Sequence, residues 1–206
     1  MEELTYSSVE SCSKHEDFSH SKSIQIFYLN IRSIRVNDKF SELKLKLDLL
    51  NYPDVIVLTE SWLGEGEEVY FQLSGYEGIS FVRGQKRGGG ISIYVKKDCD
   101  YSVISNFICD TNNHQIVTLS IVLSKLNEPL YLTAAYNPSA LNAQNFINEF
   151  LSHASQIPEY FIRKTVILGD FNIDILNCDS ELVIAYLSWY TSNNFVLATQ
   201  KYPTRI

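Results

Sequence analysis

A chain of 206 residues is long enough to bury a substantial core as one domain. Its 45% apolar and 20% charged residues match soluble globular proteins, and no apolar run approaches the roughly 18 to 20 residues of a membrane span. A net charge of −7 argues against a tight, non-specific grip on nucleic acid. It does not exclude a nuclease, because clustered carboxylates that hold a metal themselves push the balance negative.

Residues 1–23 are polar, rich in Ser and charged groups, and lack an apolar core of the secretory type, so they read as a disordered tail rather than a signal. The four cysteines, Cys12, Cys99, Cys109 and Cys178, are scattered and form no CxxC pair. That pattern disfavours a zinc site and fits free thiols in a reducing, intracellular compartment. Beyond the tail, residues 24–206 form the expected folded domain. Ile24 to Leu29 reads as a buried strand closed by Asn30. Phe40, Leu43, Leu47 and Leu50 then recur at helical spacing, with Asn37 or Asp38 as cap and Pro53 beyond the end. Leu43 to Leu49 also alternates Leu with Lys or Asp, a strand pattern. Helix is favoured because the next run, Val55 to Thr59, is a strand that needs a crossover from the first.

A β-rich middle follows, with candidate strands Ile79 to Arg83, Ile91 to Val95, Ile116 to Leu123 and Leu130 to Tyr136. The Gly88-Gly89-Gly90 run leads into a strand rather than a helix, so it is a turn or a close backbone approach and not a dinucleotide-type phosphate loop. Phe146, Phe150, Ala154 and Ile157 mark an amphipathic helix. Thr165 to Leu168 is another buried strand. Leu182, Tyr186 and Trp189 share one face of a last helix capped by Asp179 or Ser180, with Tyr186 and Trp189 in the core.

Two β-helix-β units emerge, one from strand 24–29 to strand 55–59 and one from strand 130–136 to strand 165–169. Parallel strands in each unit put the residues at their carboxyl ends on one rim: Asn30 and Glu60 in the first, Tyr136 and Asp170 in the second. Two sheets packed face to face with helices outside is the natural architecture. A carboxylate ending a strand is commonly a solvated cap, but Glu60 and Asp170 hold matched positions. Magnesium needs only one or two carboxylates beside water and phosphate oxygens. Asn172, two residues past Asp170, points the same way along an extended chain and can donate to a phosphate oxygen.

Five short segments occur in order: Leu29-Asn30-Ile31-Arg32-Ser33, Thr59-Glu60-Ser61-Trp62-Leu63, the Gly-rich lead into Ile91-Ser92-Ile93-Tyr94-Val95, Tyr136-Asn137-Pro138 and Gly169-Asp170-Phe171-Asn172. Together they resemble the endonuclease/exonuclease/phosphatase superfamily, and within it the apurinic-endonuclease-like nuclease domain of non-LTR retrotransposons, from about Ile24 onward. Tyr202-Pro203-Thr204-Arg205 resembles the segment where those domains continue. The resemblance implies an α/β (α+β) fold, a four-layer α/β/β/α sandwich missing its last strands. It also implies a Mg2+-dependent DNA endonuclease, with Mn2+ as the alternative ion. Glu60 would then be the main metal ligand and Asn30 its hydrogen-bonding partner. Tyr136 would contact the scissile phosphate, Asp170 would align or deprotonate the attacking water, and Asn172 would hold the phosphate.

The family pattern continues with a further aspartate and a Ser-Asp-His motif, and no histidine follows Asp170 in this chain. Of the four histidines, His15 and His20 lie in the tail, His153 on a helix and His114 before a middle strand. The expectation is therefore an incomplete domain with little or no nicking of its own. Arg83, Lys86 and Arg87 form one basic cluster that could touch DNA phosphates; Lys201 and Arg205 form another. Trp62 is expected to pack beside the rim, with stacking on DNA as the alternative. Rival readings are a phosphatase or phospholipase of the same superfamily, or a non-catalytic remnant that binds nucleic acid or protein.

Overall fold

The computed structural model describes residues 24–36, 38–83, 88–109, 114–123, 128–139, 143–155, 157, 162, 164–177 and 179–197. The tail and the segment from Lys201 to Arg205 lie outside these residues, as do Asn37, Lys86, Arg87 and Cys178. Eight strands form two four-stranded sheets, ordered β1-β2-β4-β3 and β5-β6-β7-β8. The first contains β1 (Ile26–Asn30), β2 (Val55–Thr59), β3 (Tyr76–Phe81) and β4 (Ile91–Lys96). The second contains β5 (Asp100–Ile108), β6 (Gln115–Val122), β7 (Leu130–Tyr136) and β8 (Thr165–Asp170).

Helices α1 (Lys39–Leu49) and α2 (Ala143–Ala154) are the two crossovers, and α3 (Glu181–Ser192) follows β8. Both expected units are present. β1 pairs with β2 in parallel, Asn30 opposite Thr59, and β7 pairs with β8 in parallel, Tyr136 opposite Asp170.

Side-chain parity explains the layers. On β2, Val55 and Val57 join Val117, Leu119, Leu132 and Ala134 in the core between the sheets. Ile56 and Leu58, on the opposite face, pack with Leu43 and Leu47 of α1. The outer face of the second sheet carries Ile116 and Ala135 against Phe146, Ile147 and Phe150 of α2 and Tyr186 and Tyr190 of α3. The result is the four-layer α/β/β/α sandwich. A strand covered on both faces needs apolar residues at every position, which is why β2 reads Val-Ile-Val-Leu-Thr and is buried throughout.

Four local features differ from expectation or refine it. Leu43 to Leu49 is helical, and its strand-like alternation arises because Leu45 and Leu49 lie on the solvent side while Leu43 and Leu47 are buried. The caps expected for α1 and α3 at Asp38 and Ser180 occupy the right positions but make no side-chain capping bond. Strand β5 was not foreseen. It is an edge strand with an irregular register between Val103 and Ser105, and the bulge interrupts the alternation by which a strand is recognised. Trp189 is half-buried against the α2–α3 layer, and Tyr186 is fully inside it.

Candidate active site

Parity also aims the site. On β1, Ile26 and Tyr28 face the inter-sheet core, so Asn30, two residues further, points the same way. Val166 and Leu168 face that core on β8, which brings Asp170 to the same side; Tyr136 on β7 belongs to the core itself. The edge strands β1 and β8 approach one another across the sandwich, and Asn30 spans the gap. Its Nδ2 donates to Glu60 Oε1 at 3.1 Å and to Asp170 Oδ2 at 2.7 Å.

Glu60 is the exception to the alternation. Continued pleating would send it outward with Ile56 and Leu58, but its φ of 54° ends the strand in the left-handed region and turns the carboxylate toward Asn30. Left-handed backbone costs roughly 1–2 kcal/mol for a residue with a side chain. Arg32, Ser33, Trp62 and Asn172 share this conformation, and all lie on the same rim. The turn is held by backbone bonds from Ser33 N to Glu60 O (2.8 Å), Ile34 N to Ser61 O (3.0 Å), Ser61 N to Gly90 O (3.2 Å) and Trp62 N to Gly89 O (2.9 Å).

On the other side of the cleft, Asn172 N donates to Asp170 Oδ1 at 3.3 Å, closing a local turn. Asn172 Nδ2 donates to the Asn137 carbonyl at 2.5 Å, so in this arrangement its amide braces the neighbouring loop. Asn137 is fully buried and donates its own Nδ2 to Phe171 O at 2.9 Å. It locks the segment after β7 to the segment after β8. Tyr136 is held protonated: burial, then the charges of Glu60 and Asp170 and a hydrogen bond with Glu60, push its hydroxyl up to about 12 despite the opposing charge of Arg83.

The structure therefore brings Asn30, Glu60, Tyr136, Asp170 and Asn172 to one rim, as their chain positions imply. Arg83 joins them, with its guanidinium 5.9 Å from the Tyr136 ring centroid. Trp62 is half-buried and packs against Gly88, as expected of a residue beside the rim. His114 is not at the rim's chemistry: it is fully buried on the outer face, between Phe107 and Phe146. His153, on α2, lies 2.7 Å from Ser105 Oγ and 3.0 Å from Thr118 Oγ1. Two supporting residues went unassigned in the sequence. Asn137 carried a signal, its place in the Tyr-Asn-Pro segment. Gln115 carried none; it accepts from Gly90 N at 2.9 Å and donates to Phe81 O at 2.9 Å, tying the second sheet to the first beside Tyr136.

The ligand atoms converging here are the carboxylate oxygens of Glu60 and Asp170, hard donors that suit Mg2+ or Mn2+ rather than zinc. Among the described residues no group of three His, Cys, Asp or Glu side chains converges as a metal cage. One or two carboxylates with water and phosphate oxygens remain the fitting arrangement.

Solved structures share the fold. An AP endonuclease from Leishmania major aligns at a TM-score of 0.60 and 16% identity, over 84% of this chain and 61% of that one. A humanized D. rerio TDP2 aligns at 0.56 and 18%, over 80% and 70%. The 3′ phosphatase NExo from Neisseria, bound to a product DNA hairpin, aligns at 0.53 and 17%, over 83% and 71%. No curated protein matches the chain. The sequence profile of the Endonuclease/Exonuclease/phosphatase family matches residues 29–203, and with the sandwich and rim described above the chain belongs to that family.

Proposed function

We propose that the rim is the metal-and-phosphate half of a Mg2+-dependent DNA endonuclease site of the non-LTR retrotransposon type. The observation that carries this reading is the Asn30 amide shared between Glu60 and Asp170, which joins the two β-helix-β units at one point. Members of the family generally use divalent metals, and two neighbours in fold, D. rerio TDP2 and Neisseria NExo, are seen in complex with product DNA. Among the described residues no helix is long and apolar enough to cross a membrane.

In this reading Glu60 holds the ion, which when bound supplies positive charge to the non-bridging phosphate oxygens. Asp170, oriented by Asn30 and by the backbone N–H of Asn172, positions the attacking water and accepts its proton. Tyr136 remains protonated at neutral pH, and its hydroxyl turns from Glu60 to the scissile phosphate when substrate enters. Asn172 turns from the Asn137 carbonyl to the phosphate when substrate enters. Among the described residues, His114 and His153 stand away from this chemistry.

The test is relaxation of supercoiled plasmid by the purified chain with and without Mg2+. Mg2+-dependent nicking that disappears in Glu60→Ala is expected. Turnover of a phosphomonoester or lipid without nicking would move the substrate to a phosphatase or phospholipase. Salt-sensitive DNA binding that ignores Glu60→Ala, with no turnover, would make the domain a binding module.

A further inference from the structure

Arg83 does not lie as a surface arginine awaiting a phosphate. It follows β3 by two residues, is half-buried, and its Nε is buried with no hydrogen-bond partner. Its side chain lies flat on Gly89: a Cβ at that glycine would fall 2.1 Å from Arg83 Nη1 and 2.3 Å from Cδ. Gly89 is itself fixed, with φ at 74° and its carbonyl accepting from Trp62 N, two residues past Glu60. The Gly-Gly-Gly run therefore leaves a smooth track along which the arginine stem reaches the Tyr136 ring.

The charge balance gives that track a purpose. Glu60 and Asp170 share the Asn30 amide, which brings two carboxylates to one point and adds no charge of its own. Lys39 also reaches the rim, but its ammonium is committed to the Ile31 and Arg32 carbonyls at 2.9 and 2.7 Å. Arg83 is within electrostatic reach of Glu60. Burial lowers its pKa, and this is opposed by Tyr136, by the charge of Glu60 and by a hydrogen bond with Tyr136.

We propose that Arg83, seated by Gly89, is a built-in counter-cation and positioning residue of the Glu60–Tyr136 pair, and that its charge sets how tightly the site takes a divalent ion. The proposal rests on reading Glu60 as the metal-holding carboxylate. It makes Arg83 an internal partner of the site and a competitor of the metal, with a role separate from gripping the DNA backbone. A guanidinium fork is suited to such a place because it remains charged when partly desolvated and can lie on an aromatic face.

The experiment measures Mn2+ binding to the full chain by electron paramagnetic resonance. In parallel, binding of a short DNA duplex is followed by fluorescence anisotropy at several salt concentrations, without added metal. Arg83→Gln is expected to tighten Mn2+ by about tenfold, since a like charge is removed from a partly buried site. Its DNA affinity and salt slope should match the parent. Arg83→Lys should restore most of the parent Mn2+ affinity. Gly89→Ala, which keeps the charge but blocks its seat, should tighten Mn2+ in the same direction, with circular dichroism confirming the fold of each variant. Unchanged Mn2+ affinity in Arg83→Gln, together with a DNA salt slope reduced by about 0.9, would make Arg83 a phosphate contact and overturn the proposal. Glu60→Ala separates the two levels. Loss of Mn2+ in that variant with no response to Arg83→Gln sinks the counter-cation alone, whereas retention of Mn2+ removes the metal reading beneath it as well.

Discussion

Asn30 carries one amide to two carboxylates that lie 30 and 140 residues away in the chain. Its chemistry is specific: the NH2 group offers two donors, enough for both oxygens, and adds no charge to a cleft that already holds Glu60 and Asp170. Asn30→Asp would replace those donors with a third carboxylate. In metal-free, low-salt buffer this variant should unfold with a loss of about 1–3 kcal/mol, the range for a lost hydrogen bond to a charged group. Asn30→Ala should lose less, because it adds no repulsion, and Mg2+ should restore part of the Asn30→Asp deficit. Thermal melts of the two variants, with and without Mg2+, make the comparison. Equal melting in the absence of metal would show that the carboxylates are not close enough to feel a third. That Asn30, Glu60, Tyr136, Asp170 and Asn172 meet on one rim was legible in the sequence from strand ends and motif order. Their hydrogen-bond partners were not, because bonds spanning 140 residues depend on how two sheets are stacked.

At the scale of elements, the site depends on how closely β7 and β8 run together. Gly169 lies opposite Ala135, and a Cβ there would sit 1.9 Å from the Ala135 carbonyl oxygen and 2.8 Å from its carbon. Those atoms are backbone in a paired strand and cannot swing away. Gly169→Ala should therefore cost about 3 kcal/mol, at the upper end of ordinary overpacking. It should also displace Asp170 from Asn30. Gly78→Ala is the control: its Cβ would meet only the Tyr94 ring, at 3.0 Å. Urea midpoints of the two variants, read at unchanged denaturant slope, test the ranking, and a Gly169→Ala midpoint no lower than that of Gly78→Ala would contradict it. The glycine of Gly169-Asp170-Phe171-Asn172 is thus a packing requirement that places the carboxylate. Element existence was legible wherever apolar residues ran unbroken, as in β2 and β7. It was not legible in β5, where exposed Val103 and Ile104 flank a register break.

At the scale of the whole molecule, the outer layer of the second sheet is a continuous aromatic cluster. Phe150 lies within 6.3 Å of Phe146, Phe171, Tyr186, Trp189 and Tyr190, measured between ring centroids. Two histidines are enclosed in this half of the molecule. Burial lowers the pKa of both His114 and His153 from 6.5; for His114 the charge of Glu149 opposes the shift. Each is favoured neutral in the folded chain, so the unfolded chain binds more protons as pH falls below 6.5. Their contribution to stability is full above that pH and is lost on acidification toward the lowered folded values. The urea midpoint should fall between about pH 7.5 and about pH 5.5, and His114→Phe should flatten the dependence. A midpoint that is constant across this window in the parent chain would refute the assignment.

The strands and helices other than β5, the two crossover units and the polar residues at their carboxyl ends follow from the sequence, because hydrophobic period, chain reversal and strand direction are local properties. Tertiary structure alone decided three things. It brought the edges β1 and β8 together so that one asparagine serves two carboxylates. It turned Glu60 inward through a left-handed residue that strand parity would have pointed away. It also laid Arg83 along Gly89 toward the Tyr136 ring. In each case the deciding quantity is the distance between segments far apart in the chain, which is set when the two sheets close on their shared core.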